Sequence, residues 1–274
     1  MNPTDNTPAT DVDQRLYVAS IERTMRVLEV FDGGRDQLTI GDVTDRTGLG
    51  RSAVQRMMYT LEKLGYLSRE PDGRHYGLTL KILDFTAGMT GPDSLARRVS
   101  PILATLLETT GETASWVRLE GEAIVILQTL CSRHLGHVAF QQGQRFPALP
   151  SSSGQAILAF QDPAVARRLF DEASPEIRAR LPFATAAEMA ERFEQTRRSG
   201  HAVTAKEEDL FSVSISAPVV SGSGTVWGAF NISALESRVP RDRVGELLAG
   251  PLHDAVAQAK KLFETQTRSG LVTP

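Results

Sequence analysis

The sequence predicts an α+β fold divided into two domains, and three observations support this. The chain has 274 residues, which is long for one domain and ample for two. Residues 20–64 contain three short helical patterns in close succession, and two strand-like runs follow them. From residue 113 onward strand-like and helical patterns alternate, which is typical of a mixed domain. We therefore expect a disordered tail at 1–14, a first domain at 15–79, a linker helix at 80–94, a second domain at 95–268 and a short tail at 269–274.

The composition is that of an ordinary globular protein, with 41% hydrophobic and 23% charged residues. The formal net charge is -3, so a nucleic-acid-binding surface requires basic residues that are concentrated locally. Cys131 is the single cysteine, which excludes an internal disulfide and fits a reducing compartment. Residues 1–13 lack the pattern of a signal peptide, and no run reaches the roughly 18 apolar residues of a membrane span. We expect a cytoplasmic protein that does not enter the membrane.

Three helices open the first domain. The first is expected at 20–31 with Ser20 as its N-cap, because Ile21, Met25, Leu28 and Phe31 recur at helical spacing. The second is expected at 40–46 with Thr39 as its N-cap, and the third at 52–64. Gly48-Leu49-Gly50 separates the second and third helices and predicts the tight turn of a helix-turn-helix.

A hairpin follows the three helices. Asp72-Gly73 lies between two strand-like runs within residues 66–78 and is a strong turn signal. Three helices, a glycine-containing turn and a hairpin together predict a winged helix-turn-helix.

The polar residues of this domain are those that contact DNA in such folds. The front of the third helix carries side chains that can reach base edges or phosphates when the helix end enters the major groove: Arg51, Ser52, Gln55 and Arg56. The wing carries Arg69, Arg74 and His75, which suit backbone or minor-groove contacts. The helix that Thr39 caps can receive a phosphate at its N-terminus. The alternative is a generic helical subdomain with a solvated charged face, but the combination of features favours DNA binding.

An apolar stripe marks the linker helix. Leu80, Leu83, Phe85 and Met89 can pack within their own chain or form a dimer seam. We expect a dimer seam, because a lone helix between two domains has little else to bury against. A two-fold dimer also matches the half-sites of a palindromic operator in double-stranded DNA.

The second domain is expected to alternate between strands and helices. Its expected elements are a helix from about 93 to 110, strands at 113–119 and 123–130, helices at 154–160, 163–172 and 186–198, strands at 212–220 and 225–233, and a last helix at 241–265.

The last two strands carry short polar side chains on one face. A two-residue turn at Gly222-Ser223 predicts Ser214 opposite Asn231 and Ser212 opposite Ser233. This polar face points either at water, as in many antiparallel sheets, or into a pocket. Its members are short and uncharged, which suits a pocket that hydrogen-bonds a carboxylate or carbonyl.

Several segments form a set that is specific together rather than singly. They are Ser20-Ile21-Glu22-Arg23, residues 38–67, the wing with Tyr76-Gly77-Leu78-Thr79, residues 149–160, Arg198-Ser199-Gly200-His201 followed by Glu207, and residues 215–219. As a set they resemble the IclR family of transcriptional regulators, over about residues 15–268. The resemblance implies a winged helix, a dimerising linker helix and an effector domain similar to the GAF fold. It also implies a homodimer or homotetramer that binds small organic acids or aromatic metabolites.

The resemblance also implies the effector-binding residues. Ser214, Asn231 and Ser233 match positions that line the effector site in the family, as do Thr204, Ser152 and Ser153; with Ser212 they form our candidate set. Position 204 is often acidic in the family and position 231 is commonly Ser, so this chain departs at both. We therefore expect a carboxylate, amide or aromatic acid other than glyoxylate or pyruvate. Separately, we expect a repressor rather than an activator.

Signals for catalysis and metal binding are weak. Cys131, His134 and His137 have spacings that could ligate a metal, but a structural zinc site usually needs four ligands. The chain contains no nucleophile elbow, phosphate loop or dinucleotide motif. We expect no enzyme activity and no cofactor. Two rival interpretations are an enzyme built on the second domain and an architectural DNA-binding protein without a ligand.

Overall fold

The computed structural model describes Asp13 and residues 15–31, 37–90, 95–206 and 212–267. The chain divides into two compact units, Met1–Met89 and Thr90–Pro274. Each unit has its own hydrophobic core and combines helices with an antiparallel sheet, which confirms the predicted α+β class.

The first unit is a small helical domain with a three-stranded sheet in the order β1-β3-β2. Its elements are α1 (Ala19–Glu29), β1 (Leu38–Thr39), α2 (Ile40–Thr47), α3 (Arg51–Lys63), β2 (Leu67–Arg69), β3 (His75–Leu78), a 3-10 turn (Leu80–Ile82) and α4 (Leu83–Thr90). Strand β1 was not predicted, because two residues cannot show a periodicity.

Local signals at the start of α2 are confirmed. The Thr39 hydroxyl accepts a hydrogen bond from the Asp42 amide at 3.2 Å, and the Asp42 carboxylate accepts one from the Thr39 amide at 2.8 Å. This reciprocal capping box satisfies two amides that the helix itself leaves unpaired. Gly48 ends α2 with a φ of 68°, and Gly50 is the N-cap of α3.

The predicted cap and part of the predicted apolar stripe of α1 are wrong. The helix begins at Ala19, and its N-cap, Val18, makes no side-chain capping bond. Val27 is fully buried, whereas Ile21 and Met25 are 61% and 48% exposed. Apolar spacing alone placed the stripe, but the position of the core against α2 and α3 decides which side of α1 is buried.

The second unit contains a six-stranded antiparallel sheet in the order β6-β5-β4-β9-β8-β7. Its elements are α5 (Leu95–Arg98), α6 (Ser100–Thr110), β4 (Thr113–Glu120), β5 (Ala123–Leu130), β6 (Arg145–Pro147), α7 (Ser152–Leu158), α8 (Pro163–Glu172), α9 (Pro175–Arg178), α10 (Ala186–Ser199), β7 (Ala202–Lys206), β8 (Ser212–Val220), β9 (Val226–Leu235), a 3-10 turn (Arg241–Arg243) and α11 (Val244–Thr267).

Helices cover both faces of this sheet. Trp116 and Ile215 point into a core that includes residues of α6 and α11, among them Leu103 and Phe263. Helix α7 packs against the other faces of β8 and β9 and joins α8 and α10 in a second core. Alternate residues of β8 therefore point to different layers, and the residues facing α7 are the short polar ones.

Two helices differ from those expected. The helix expected from about 93 to 110 is two helices, because α6 begins anew at Ser100 with Pro101 in its first turn, where a missing amide has no cost. Its Gly91-Pro92 segment lies outside the described residues. Helix α7 begins at Ser152 rather than Gly154, because Ser151 is its N-cap and accepts the Gly154 amide at 2.9 Å. The short elements β6, β7 and α9 were not predicted.

The hairpin of β8 and β9 pairs in a different register from the predicted one. The observed pairs are Ser212 with Leu235, Ser214 with Ser233, and Ser216 with Asn231. The prediction of Ser214 opposite Asn231 and Ser212 opposite Ser233 is therefore wrong by two positions.

A longer turn explains the shift. The Ser221 amide donates to the Thr225 carbonyl at 2.8 Å, and the pairing is irregular between Val219 and Val220. Because the shift is even, every side chain keeps its face of the sheet. The predicted division into a polar and an apolar face is therefore confirmed.

Gly228 brings β9 close to a tryptophan on β4. Its φ is 152°, and a Cβ atom there would lie 2.5 Å from the Val117 carbonyl oxygen and 2.6 Å from the Trp116 ring. Trp116 is fully buried and Trp227 is 3% exposed, so both tryptophans belong to the core.

Candidate functional site

The predicted DNA-contacting residues surround one groove of the first unit. The groove has a volume of about 820 Å³ and is lined by seven of them: Thr39, Arg51, Ser52, Gln55, Arg56, Arg69 and Arg74. His75 is not among the lining residues. Sequence reasoning missed Tyr59 and Thr60, which extend the same face of α3 by one turn.

Helix α3 is oriented by its apolar side. Val54 and Met58 are fully buried and Leu61 is 4% exposed. The polar residues Ser52, Gln55 and Arg56 are exposed on the other side, close to the N-terminus of the helix. Burial of one face therefore fixes which side chains the helix presents outward.

The wing turn is organised by a carboxylate. Asp72 accepts hydrogen bonds from the backbone amides of Arg74, at 2.8 Å, and His75, at 3.1 Å, and it also contacts the His75 ring. These bonds, the amide of Arg74 first, hold the pKa of the Asp72 carboxyl well below its usual range. His75 thus has a local role in the turn.

The two arginines of the wing differ in their surroundings. The Arg69 guanidinium lies 3.3 Å from the Glu62 carboxylate and 4.9 Å from the centre of the Tyr76 ring. Arg74 is exposed at the tip, next to Gly73 with its φ of 70°. Arg69 is therefore oriented by its own unit, whereas Arg74 projects from the turn.

The predicted effector residues converge on a cavity of the second unit. Six of the seven line it: Ser152, Ser153, Thr204, Ser214, Asn231 and Ser233. Ser212 is not among the lining residues; it lies opposite Leu235 near the end of β9. The remaining lining residues are Ser151 and the apolar Val117, Ile124, Ile126, Phe140 and Phe146.

A chain of hydrogen bonds forms the floor of this cavity. The Ser214 and Ser233 hydroxyls are 2.7 Å apart, and the Ser233 hydroxyl donates to the Asn231 side-chain oxygen at 2.8 Å. The Asn231 amide nitrogen donates to the Ser216 hydroxyl at 3.0 Å. The chain orients Asn231 from both ends, because its oxygen and its nitrogen are both engaged.

At this cavity, sequence reasoning missed Ser216. Its hydroxyl lies 2.9 Å from those of both Ser152 and Ser153, so it joins the hairpin to the start of α7. It is fully buried beneath the lining residues. The signal was present, because Ser216 continues the alternation of Ser212 and Ser214 along β8.

The lining of the cavity carries no charged side chain among the described residues. Its floor offers hydroxyls and one amide, and its walls are aliphatic or aromatic. Phe140 and Phe146 meet edge to face, with ring centres 5.5 Å apart. The arrangement suits a ligand with one polar end and a flat apolar body.

The cavity is small. Its volume is about 50 Å³. Binding sites for small organic ligands usually measure about 300–1,000 Å³. A small organic ligand that is fully enclosed here therefore requires the walls to move outward.

An arginine contacts two of the elements that line the cavity. The Arg192 guanidinium, on α10, donates to the Gln155 side chain of α7 and to the Val203 carbonyl of β7, both at 2.6 Å. Burial lowers the pKa of Arg192. Arg192 thereby fixes β7 and α7, which contribute Thr204 and Ser153 to the lining.

The residues considered as metal ligands, Cys131, His134 and His137, lie in the segment between β5 and β6. Cys131 is exposed, and the His137 ring contacts the His134 carbonyl at 2.9 Å. The described residues contain no group of three or more potential ligands that could hold a metal ion. None of the helices in these ranges has the length and apolar character that crossing a membrane requires.

The linker helix exposes part of its apolar stripe. Leu80 and Leu83 are 82% and 58% exposed, and Phe85 is 63% exposed although it stacks on Tyr66 at 5.5 Å between ring centres. The Met89 side chain lies outside the described residues.

Comparison with known proteins matches both units to one family. Residues 20–71 match the family described as "IclR helix-turn-helix domain", and residues 90–260 match "Bacterial transcriptional regulator IclR C-terminal". The "Pca regulon regulatory protein" of Pseudomonas putida is 30% identical over 83% of this chain and 78% of its own length. The "p-hydroxybenzoate hydroxylase transcriptional activator" of Acinetobacter baylyi is 26% identical over 81% of this chain and 83% of its own length.

A solved structure shares the fold of nearly the whole chain. It is an IclR homologue from Microbacterium hydrocarbonoxydans complexed with 4-hydroxybenzoate, with a TM-score of 0.74 at 21% identity over 88% of this chain and 98% of its own. The chain contains both units, the groove beside α3 and the polar cavity of the second unit, and it matches one family along most of its length. This protein therefore belongs to the IclR family of bacterial transcriptional regulators.

Proposed function

We propose that this protein is a sequence-specific DNA-binding regulator whose response is controlled by a small aromatic acid or its amide. The observation that carries the proposal is the uncharged polar floor of Ser214, Asn231 and Ser233 beneath the apolar walls of Phe140 and Phe146. Hydroxyls and an amide hydrogen-bond a carboxylate or carbonyl, and aromatic walls pack against a flat ring.

The names of two similar proteins support an aromatic ligand. One relative is named after p-hydroxybenzoate hydroxylase, and one protein of the same fold is complexed with 4-hydroxybenzoate. Because the hydroxyls that line the cavity can each donate a hydrogen bond, we infer that the preferred ligand presents oxygen acceptors at one end.

The DNA half of the proposal rests on α3 and the wing. Helix α3 enters the major groove with Gln55 and Arg56 toward the base edges, and Arg74 contacts the backbone. We infer that the exposed stripe of the linker helix joins two copies, either as a homodimer or within a homotetramer, so that two winged helices read a palindromic operator. The protein acts in the cytoplasm, where the chromosome lies.

Ligand binding acts by shifting a population of conformers. The cavity of about 50 Å³ is too small to enclose an aromatic acid, so the ligand favours a conformer with displaced walls. That conformer spaces the two winged helices differently, and the ligand changes operator affinity by its differential affinity for the two states. Repression is our prediction for the sign of regulation in the absence of ligand.

Calorimetry with a small panel tests the ligand site. We expect 4-hydroxybenzoate, benzoate and benzamide to bind more tightly than glyoxylate, and Ser214→Ala or Asn231→Ala to weaken binding about tenfold through the loss of one buried hydrogen bond. Ser223→Ala, in the exposed hairpin turn, is the matched control and binds like the wild type. Wild-type affinity in both site variants would overturn the assignment of the cavity.

A mobility-shift assay tests the regulatory half. The wild type is expected to shift DNA from its own upstream region, with an affinity that 4-hydroxybenzoate changes by fivefold or more. A reporter under the same region gives the sign of regulation. DNA binding that is unaffected by every ligand of the panel would favour an architectural role, and no shift under any condition would overturn the proposal altogether.

A further inference from the structure

One long loop forms a wall of the candidate effector cavity. Residues 131–144 connect β5 to β6 without regular secondary structure and carry Phe140, which lines the cavity. Phe140 is partly buried against a small core that contains Val117 and Ile126. Any ligand that enlarges the cavity on this side has to displace this loop.

The two ends of the loop are held by hydrogen bonds, one to the end of α6 and the other to β5. At its start the Ser132 hydroxyl donates to the Gly111 carbonyl at 2.6 Å. At its end the Gly143 amide donates to the Ile126 carbonyl at 2.7 Å, and the Ile126 amide donates to Gln144 at 2.9 Å. These bonds leave the middle of the loop as the part that can move.

Two side chains hold the middle of the loop. The Thr113 hydroxyl donates to the Val138 carbonyl at 2.7 Å. The Arg238 guanidinium donates to the Gly136 carbonyl, also at 2.7 Å. Both carbonyls lie just before Phe140 in the chain, so both bonds restrict that ring.

Arg238 is itself rigidly oriented. Its Nε and one terminal nitrogen form a two-point ion pair with the Glu112 carboxylate at 2.6 and 2.8 Å, and the other terminal nitrogen reaches Gly136. The side chain of Glu112 is 4% exposed. Arg238 lies three residues after the end of β9, and its amide donates to the Leu235 carbonyl at 2.9 Å. One residue thus connects the strand that carries Asn231 to the loop opposite it.

We propose that Arg238 is a positioning residue that holds the 131–144 loop closed over the cavity and thereby sets how long a ligand stays bound. The part concerning ligands rests on the proposed function. The bond to Gly136 is the distinguishing element, because a merely structural ion pair would need only Glu112. A charged donor on a backbone carbonyl is also among the stronger hydrogen bonds in proteins.

Hydrogen exchange on the ligand-free protein tests the loop contact. Arg238→Lys keeps the charge beside Glu112, but a single ammonium cannot reproduce both the two-point pair and the Gly136 bond. We expect amides 137–143 to exchange about tenfold faster, with little change in the melting temperature. Arg243→Lys is the matched control, because Arg243 forms a similar two-nitrogen pair with Glu246 at an exposed site. Unchanged exchange of amides 137–143 in Arg238→Lys would overturn the proposal.

A second variant covers the case in which Arg238→Lys fails to fold. Replacing Glu112 and Arg238 together by Gln leaves no unpaired buried charge and still removes the charged donor on Gly136. The same acceleration of amides 137–143 is expected in this double variant. If the double variant folds and amides 137–143 do not exchange faster, the proposal is overturned.

Rapid-mixing kinetics with 4-hydroxybenzoate test the consequence for the ligand. The dissociation rate is expected to rise about tenfold in Arg238→Lys, whereas the association rate stays the same or increases. If amides 137–143 exchange faster but the dissociation rate is unchanged, the loop contact does not set how long the ligand stays bound. If the wild type does not bind 4-hydroxybenzoate, the proposed ligand class fails, while hydrogen exchange still decides whether Arg238 holds the loop.

Discussion

Replacing Ser216 by Ala removes one hydroxyl from the centre of the cavity floor and changes nothing else in the strand. The Ser216 hydroxyl is within hydrogen-bond distance of three polar groups: the hydroxyls of Ser152 and Ser153 at 2.9 Å and the Asn231 amide at 3.0 Å. The residue is fully buried, so water cannot replace the lost partner without opening the floor.

The expected magnitude follows from these contacts. After the substitution the Asn231 amide retains a contact of 3.4 Å to Ser152, and the described contacts give the Ser153 hydroxyl no second partner. A buried polar group left unsatisfied costs about 1–3 kcal/mol, so one such group and one weakened group cost about 2–4 kcal/mol. At about 2–4 °C per kcal/mol for a domain of this size, the melting temperature falls by about 4–16 °C.

Thermal melting followed by circular dichroism measures this effect. The control is Ser223→Ala, whose hydroxyl is exposed in the hairpin turn and whose loss is expected to cost less than about 0.5 kcal/mol. The same Ser216→Ala protein is expected to bind 4-hydroxybenzoate about tenfold more weakly, because Asn231 loses its anchor. A Ser216→Ala protein that melts within about 2 °C of the wild type would refute the description of the floor as a satisfied buried network.

Three further predictions concern other parts of the molecule. Gly228→Ala places a Cβ atom 2.5 Å from a carbonyl oxygen of β4. Chemical denaturation is expected to show a loss of about 3 kcal/mol or more in the free energy of unfolding of the second unit. In the control, Gly245→Ala, the new Cβ atom meets nothing within 4 Å, and the free energy of unfolding is expected to change by less than about 1 kcal/mol. The pKa of Asp72 is lowered in the folded wing, so its contribution to wing stability is present at neutral pH. This contribution is lost as the pH falls through and below the ordinary Asp range. An NMR titration that finds an ordinary pKa for Asp72 would contradict the prediction. Arg56→Ala is expected to weaken operator binding by about 1–3 kcal/mol and to relax the preference for particular bases. Arg74→Ala is expected to weaken binding to all DNA and to reduce the slope of log affinity against log salt concentration by about 1. Equal effects on operator and random DNA in both variants would contradict the assigned roles.

The features of the first unit that sequence predicts well are those decided within a few residues. Thr39 and Asp42 cap α2 through a local bond, and Gly73 and Asp72 specify the turn of the wing without any distant contact. Such signals were readable because no tertiary contact competes with them. The buried side of α1 was misjudged for the opposite reason, since the elements around Val27 choose the face.

The register of the β8–β9 hairpin shows how a partly wrong prediction retains value. The two-residue turn was the simplest choice for Gly222-Ser223, and the irregularity at Val219 cannot be seen in the sequence. The predicted register was wrong by an even number of residues, so Ser214 and Asn231 still lie on the same face of the sheet. Side-chain alternation is thus a firmer guide to a pocket than the exact pairing of strands.

The apolar wall of the cavity was beyond the reach of sequence reasoning. Phe140 comes from a loop without periodicity, and Phe146 from a strand of only three residues, Arg145–Pro147. Their meeting depends on the folding of the whole sheet. A single sequence carries no pattern that brings a loop phenylalanine to one particular serine.

The cavity floor joins segments that are distant in the chain, since Ser152 and Asn231 are 79 positions apart. The site therefore exists only when α7 and the hairpin are both in place, and a ligand that binds there cannot bind the unfolded chain in the same way. By mass action, a ligand at 100 times its dissociation constant adds about 2.7 kcal/mol to the free energy of unfolding. If the proposed effector occupies this cavity, we therefore expect it also to raise the amount of folded regulator in a cell, and we expect the chain to be more readily degraded where the effector is scarce.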